Sequence, residues 1–329
     1  MNILLTTANV YEHPDPAEWL KLNSKSFGIN CVDDPEFADI IIFAETHPGE
    51  DPYFRNVINH PLYKKYSRKC VLYHDADISV TTIPTISPSI EAWQFDAKHK
   101  RSFHYIARMC DNDAINFAVI NYQQNRKYLY SFVGSRTHEI RNKLFDLKHP
   151  SNAFLNDSTG FKAWELSASE KVVYEHNYYN ISNESYFILA PRGIGPCTYR
   201  LFETMQIGRV PVIISDDWIK IPGIDWDSFT ITIPESQIDL IPQILNERKE
   251  SAIEMGKIAR KNWEEHFSPE VSLNKISIAA KELLVHKYSL KDSLMDYAQF
   301  FIKPWHLKNL LRSKKNQFKN KIAMLGIFG

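Results

Sequence analysis

The stretch from Tyr186 to Trp218, YFILAPRGIGPCTYRLFETMQIGRVPVIISDDW, constrains the fold more tightly than any other part of the chain. Four apolar β-formers, Tyr186 to Leu189, run into the turn Pro191-Arg192-Gly193-Ile194-Gly195-Pro196. A helix is predicted to open near Cys197-Thr198, carry Arg200 and Glu203, and stop at Gly208 before a second strand, Val210–Ile214. A helix that starts at a glycine-rich strand end offers unpaired backbone N–H groups and a partial positive charge, which suits an anion. Arg192 and Arg200 add fixed cations of the kind that hold a diphosphate. Glu203 lies one helical turn after Arg200, where a carboxylate repels phosphate but accepts hydrogen bonds from sugar hydroxyls. Arg192, Gly193, Gly195, Cys197, Thr198, Arg200 and Glu203 are therefore expected to form a site for a sugar–nucleotide diphosphate.

The rest of the chain repeats this alternation. Ile3–Thr6, Cys31, Ala38–Ala44 and Lys69–Tyr73 read as strands, with helices around Ala17–Ser26 and Pro52–Tyr66 between them, a rhythm that implies parallel strands with crossover helices. Thr81–Ser89, full of threonine, serine and proline, reads as a loop, and Phe103–Met109 as another strand. A new strand, Tyr128–Val133, starts a second half with helices near His138–Leu147, Ser169–Tyr179, Ile238–Arg248 and Ser251–Phe267, then a long helix from Pro269 toward His286. The apolar stripe of GKIARKNWEEHF reads as core. The expected domains are 1–124, 125–287 and a helical tail, 288–329.

At 329 residues the chain has room for two such halves. Lys+Arg and Asp+Glu both number 39, so no global field favours nucleic acid. Cys31, Cys70, Cys110 and Cys197 have no metal-ligand spacing, and Cys31 and Cys70 read as buried strand thiols. Gly193-Ile194-Gly195 lacks the third glycine of a dinucleotide fingerprint, and no nucleotide-triphosphate phosphate loop, H-E-x-x-H or C-x-x-C occurs.

PRGIGPCTYRLFETMQIGRVPVIISDDW closely resembles the signature of exostosin-family glycosyltransferases, inverting enzymes with two Rossmann-like domains facing a cleft (the GT-B type). The resemblance runs from about Tyr128 to Phe267 and takes in Phe132-Val133-Gly134-Ser135-Arg136, Arg141 and Pro222–Trp226; the first half is only loosely similar. Human-type exostosins carry serine where this chain has Cys197, a small-for-small change that preserves the helix start. The resemblance implies transfer of a sugar from a nucleotide-diphosphate donor, expected to be a UDP-sugar, to a hydroxyl of a surface polysaccharide or lipopolysaccharide. The alternative is an inactive partner subunit of a glycan polymerase. Animal and plant relatives are Golgi-anchored, whereas this chain opens directly on a strand, so a bacterial cytoplasmic enzyme is expected.

Gly134, Arg136 and Arg141 are placed with the diphosphate site, Arg141 alternatively in an ion pair with Glu139 or Asp146. Asp216 is read as a site residue or a turn cap, because strand carboxyl ends carry ligands but aspartates also close turns. The base that takes the acceptor proton is sought in the first half at Asp75, Asp77 or His74, after an apolar strand, with Glu45 and His47 in reserve. Asp75-Ala76-Asp77 also fits a D-x-D metal site, but the arginines supply the charge a metal would bring, so no cofactor is required. The segment 303–328 carries seven Lys or Arg and no acidic residue among aliphatic and aromatic side chains; it reads as a helix for an anionic membrane surface or as a packed helix with a solvated basic face.

Overall fold

The structure is a computed structural model that describes the chain except for residues 12–14, 47–50, 52, 78–79, 107–111, 123–124, 162–164, 305, 309, 313, 316–317 and 319–329, and the side chains of 299–301. His47, Cys110 and the boundary at Gln124 thus lie outside the described residues. Two compact units form. The first comprises Met1–Ser87, Gln94–Phe103 and Leu273–Gly329, and the second Pro88–Trp93 and His104–Ser272. The second unit therefore takes up the chain at His104 rather than after 124, and from Leu273 onward the chain belongs to the first unit rather than to the second.

The first unit holds strands β1 (Asn2–Thr6), β2 (Asn30–Cys31), β3 (Ile40–Glu45), β4 (Cys70–His74), β5 (Thr85–Ser87) and β6 (Lys100–Ser102). They pair in the order β2-β1-β3-β4-β5-β6, every pairing parallel. Its helices before Ser87 are α1 (Pro16–Asn23), α2 (Arg55–Asn59) and α3 (Pro61–Tyr66). Asp15 caps α1 by accepting from the N–H groups of Ala17 and Glu18, with Pro16 at the first helical position, where its missing N–H costs nothing. The helix expected over Pro52–Tyr66 is two helices, because Pro61 holds His60 extended (ψ 139°) and starts a new turn.

Two further expectations need correction. Thr81–Ser89 is not a loop throughout: Thr85–Ser87 is a wholly buried strand between β4 and β6. Its hydroxyls find partners inside, Thr85 Oγ1 donating to the Ile83 carbonyl at 2.8 Å, so burial there leaves no apolar alternation to read. Cys31 is exposed, since β2 is a two-residue edge strand, whereas Cys70 is buried.

The second unit contains β7 (Tyr128–Gly134), β8 (Ala153–Asp157), β9 (Ser185–Pro191), β10 (Val210–Ile214) and β11 (Ile231–Thr232), all parallel in the order β11-β10-β9-β7-β8. Its helices are α4 (Asp113–Asn116), α5 (Glu139–Asp146), α6 (Ala168–Asn183), α7 (Tyr199–Gln206), α8 (Ile241–Glu247) and α9 (Ala252–His266). Then α10 (Pro269–Leu284) leads to α11 (Leu290–Ile302) of the first unit. Both faces of the sheet are covered, which is why β9 and β10 read as unbroken apolar runs. Phe187, Leu189, Val210, Val212 and Ile214 join one core with Phe132 and Leu144. Ala190 and Ile213 point the other way, toward Phe202, Trp226, Trp263 and Phe267. Two doubly wound α/β units followed by C-terminal helices is the architecture expected from the alternation.

Gly256 shows how tightly α9 is packed. A Cβ there would lie 2.4 Å from the Gly208 carbonyl oxygen, a rigid backbone atom at the end of α7. In an open helix Gly→Ala stabilises by about 1 kcal/mol. Here Gly256→Ala is expected to destabilise by about 1–3 kcal/mol, read as a lower urea midpoint; an unchanged or raised midpoint would refute the close approach.

Candidate functional site

In a sheet of this winding, ligands bind where neighbouring strands send their connections to opposite faces, outside the carboxyl ends of the strands. In the second unit that point lies between β7 and β9, whose chains lead to β8 on one side and β10 on the other. The loops following them are Ser135–His138 and Arg192–Thr198, so the glycine-rich turn occupies the switch point.

Two buried arginines stitch these loops together. Arg141, on the first turn of α5, donates from Nε to the Arg192 carbonyl (2.9 Å), from Nη2 to that of Pro191 (3.1 Å) and from Nη1 to that of Ser135 (3.2 Å). Arg200, on α7, donates from Nη2 to the Val133 carbonyl and from Nη1 to Thr198 Oγ1 (3.4 Å), with its guanidinium 4.9 Å from the Phe132 ring centre. Each has a glycine beside it. A Cβ on Gly193 would sit 2.9 Å from Arg141 Nη2, and one on Gly134 would sit 2.9 Å from the Phe132 ring and 3.2 Å from Arg200 Nη2. These carbonyl and hydroxyl partners hold both guanidinium groups in a desolvated setting. Burial alone would lower the Arg200 pKa, but Tyr178, Tyr199 and the Glu203 carboxylate hold it above its ordinary range, and its Nε has no hydrogen-bond partner. Glu139 and Asp146, the alternative partners of Arg141, pair with Lys143 and Arg136.

The other predicted cations are engaged differently. Arg192 is buried and pairs with Glu91 (2.8 Å) and Asp217 (2.6 Å), with Glu235 at 4.0 Å. Burial alone would lower its pKa, but these carboxylates hold it above its ordinary range. Arg136 faces away from the turn and bonds Asp157 (2.6 Å) and Asp146 (2.9 Å) on the surface. Asp216 is exposed and exchanges main-chain hydrogen bonds with Glu235, Oδ1 accepting at 3.1 Å and its own N–H donating to Oε1 at 3.2 Å, as a turn cap does. The neighbouring Asp217 is the residue that reaches Arg192.

Thr198 is the N-cap of α7, and its side chain accepts from no main-chain N–H of the first turn, only from Arg200 Nη1, while the Leu201 N–H donates to the Thr198 carbonyl at 3.1 Å. The Cys197 thiol is buried in the apolar core, while its carbonyl accepts from the Tyr105 hydroxyl at 3.2 Å, fixing the end of the turn. Glu203 is buried, with Oε2 accepting from the Tyr178 hydroxyl at 3.0 Å and Oε1 without a hydrogen-bond partner. That carboxylate lines a cavity of about 10 Å³ with Tyr105, Asn112, Asn116, Tyr199 and Trp263. About one water fits such a space, so a sugar hydroxyl reaches Glu203 only if the wall opens.

In the first unit the corresponding switch point lies between β1 and β3. Glu45 ends β3 there, fully buried, accepting from Ala8 N–H (2.6 Å), Asn9 Nδ2 (2.9 Å) and the Tyr11 hydroxyl (2.5 Å). Burial raises the pKa of Glu45 despite these bonds, and burial next to this carboxylate raises that of Tyr11. His74 ends β4, one strand further along, and Asp75 and Asp77 follow it. The His74 ring is buried, 4.6 Å from that of Phe54, and its Nδ1 accepts from Ala76 N–H at 3.2 Å. Asp75 and Asp77 are half-buried.

Asp217 shares with Asp216 the strand-end position that marks a site or a turn cap, and it is Asp217 that meets Arg192. Glu91 had no sequence signal, because only Pro88–Trp93 folding into the second unit brings it there. The Arg141–Gly193 contact gives a measurable coupling. Gly193→Ala is expected to cost about 1–3 kcal/mol in the parent protein and clearly less in an Arg141→Lys background, where the clashing Nη2 is gone. Equal costs in a denaturation double-mutant cycle would show that the glycine serves something else.

Residues 49–248 match the Exostosin GT47 domain, so the likeness begins well before Tyr128. Exostosin-1 of Drosophila melanogaster is 24% identical over 268 residues, covering 74% of this chain and 35% of that protein. The exostosin-1 homolog of Caenorhabditis elegans is 30% identical over 138 residues, covering 37% and 36%. A probable glucuronosyltransferase of Oryza sativa is 36% identical over 87 residues, covering 26% and 20%. The chain thus spans about a third or less of the length of these relatives. Among solved structures, a glycosyltransferase from Rickettsia africae aligns with a TM-score of 0.40 at 10% identity, covering 87% of this chain and 99% of the other. HepE of Anabaena, in complex with UDP, aligns with a TM-score of 0.36 at 10% identity, covering 85% and 98%. With the match to that domain extending over more than half of its residues, the chain belongs to the exostosin GT47 family.

Proposed function

We propose that this protein is an inverting glycosyltransferase that moves a sugar from a UDP-sugar to a hydroxyl of a surface polysaccharide or lipopolysaccharide. The observation that carries the reading is the convergence, at the β7–β9 switch point, of an uncapped α7 amino end with two buried guanidinium groups. Diphosphate departure from an anomeric carbon builds negative charge, and preorganised N–H groups and cations lower that barrier without reorganising. Arg141 and Arg200 act here by holding the loops and supplying positive potential. The main-chain N–H groups of Gly195, Cys197 and Thr198 are the assigned direct contacts (Pro196 has none), and Glu203 is assigned to donor hydroxyls that enter as the wall of its cavity opens. The family membership supports the reading, and HepE was solved with UDP.

The base is assigned to the first unit, at Asp75, with Glu45 the second candidate because it stands at that unit's switch point. No metal is required in this scheme, so turnover should persist in excess chelator.

Calorimetric titration with UDP tests the donor site. Glu203→Gln is expected to weaken binding by about 10- to 100-fold, as for loss of a charged hydrogen bond, with little change in melting temperature. Unchanged affinity, or no binding of any nucleoside diphosphate by the parent, would overturn the assignment. Asp75→Asn should retain UDP binding and lose about 10²- to 10⁴-fold in turnover. A normal rate there with a collapsed rate in Glu45→Gln would move the base to Glu45. Binding of UDP-sugars with no transfer or hydrolysis by the parent would favour the inactive-partner alternative.

A further inference from the structure

The described residues between 304 and 318 are helical, and they divide into three sectors. At about 100° per residue, His306 and Leu310 share one side, Leu307, Leu311 and Phe318 the next, and Lys308, Arg312 and Lys315 the third, with the exposed Lys314 on the other edge of the apolar stripe, beside Leu307. The first side is docked on the first unit. His306 is buried and its carbonyl accepts from the Tyr53 hydroxyl at 3.0 Å, its ring lies 3.3 Å from Gln94 Nε2, and Leu310 packs against Tyr53 and Val80. This docked side and the exposed basic residues fit the packed-helix reading, which leaves the exposed apolar sector unexplained.

The second sector has the composition of a core face but lies on the surface. Leu311 and Phe318 are 62% and 66% exposed, and Leu307 is 37% exposed. A helix that has already buried one side has no folding reason to present a second apolar stripe to water. The cationic stripe runs directly alongside it, with Lys308, Arg312 and Lys315 all exposed. The following residues, outside the described part of the chain, add Lys319 and Lys321 and still no acidic side chain.

We propose that the exposed Leu307–Leu311–Phe318 stripe and its Lys308–Arg312–Lys315 flank form a docking surface for an anionic lipid bilayer. Apolar side chains of this kind enter the acyl boundary while neighbouring cations meet anionic headgroups. A second copy of the chain fits less well. A two-fold contact through the apolar stripe would set one cationic flank near its own copy, with no acidic residue in 303–329 to neutralise it. The helix rests on Tyr53 and Val80, which follow β3 and β4, so the surface lies toward the carboxyl ends of those strands. In the transferase reading this would bring a lipid-linked acceptor to the base-bearing end of the first unit; the docking surface itself does not depend on that reading.

Co-sedimentation of the full chain with vesicles tests the proposal. Vesicles of phosphatidylcholine and phosphatidylglycerol should capture the protein in low salt, and vesicles of phosphatidylcholine alone should not. Reversing the flank (Lys308→Glu, Arg312→Glu, Lys315→Glu) should weaken capture by about 100-fold or more. Polar replacement of the stripe (Leu307→Ser, Leu311→Ser, Phe318→Ser) should weaken it by about 10-fold or more, with no drop in melting temperature because these side chains are exposed. Equal capture by both vesicle types, no capture by either, or parent-like capture of the stripe variant would overturn the proposal. So would a parent dimer that becomes monomeric in the stripe variant, which would assign the face to self-association. UDP titration of the same samples reads the donor site separately.

Discussion

The hydrogen bonds from two arginine side chains to main-chain carbonyls at the ends of β7 and β9 are the constraint on which the candidate site depends. Without Arg141, three carbonyls at the switch point would lose a common donor group, and with it one of the ties between the loops after the two strands. Arg200 does the same from the other direction, through Val133 and Thr198. Buried carbonyls need partners, and a guanidinium supplies several N–H groups in a fixed fork. The charge that comes with it is then carried into the interior. A geometric need of the backbone thereby leaves positive potential where a leaving diphosphate is expected.

This changes the meaning of the glycines. In a phosphate-binding turn, glycine is usually explained by the close approach of the ligand to the backbone. Here Gly193 makes room for Arg141, and Gly134 for the Phe132 ring and the Arg200 guanidinium that lies over it. The neighbouring Arg192 is charge-balanced by Glu91 and Asp217, and thus pins Pro88–Trp93 against the carboxyl ends of β9 and β10. Glu91 also forms an antiparallel bridge with Trp218, and Ala92 N–H donates to the Asp217 carbonyl at 3.0 Å, so the pinning is main-chain as well as electrostatic.

What the sequence shows and hides follows from the same physics. Strands buried on both faces, such as Phe187–Ala190 and Val210–Ile214, announce themselves as apolar runs, and Gly208 marks a helix end through its positive φ of 65°. The stripe of GKIARKNWEEHF was legible as core, with Gly256, Ala259 and Trp263 buried. Strand β5 was not, because threonine and serine were buried through hydrogen bonds rather than through hydrophobicity. The arginines were legible as cations gathered near one turn, but spacing says nothing about whether a guanidinium meets a ligand, a carbonyl or a carboxylate. Arg136, Arg141 and Arg192 meet different protein partners, and only the fold distinguishes them.

The partition of the chain carries a consequence for biogenesis. Pro88–Trp93 departs from the first unit and returns, and Leu273 onward rejoins it after the whole of the second unit has been made. Neither unit can be obtained by cutting at one peptide bond. On the ribosome, Asp296, which pairs with Lys100 at 3.0 Å, reaches its partner only after the whole of the second unit has been made. Premature termination would leave that half without its closing helices, with freshly exposed apolar surface and a ready target for chaperones or proteases.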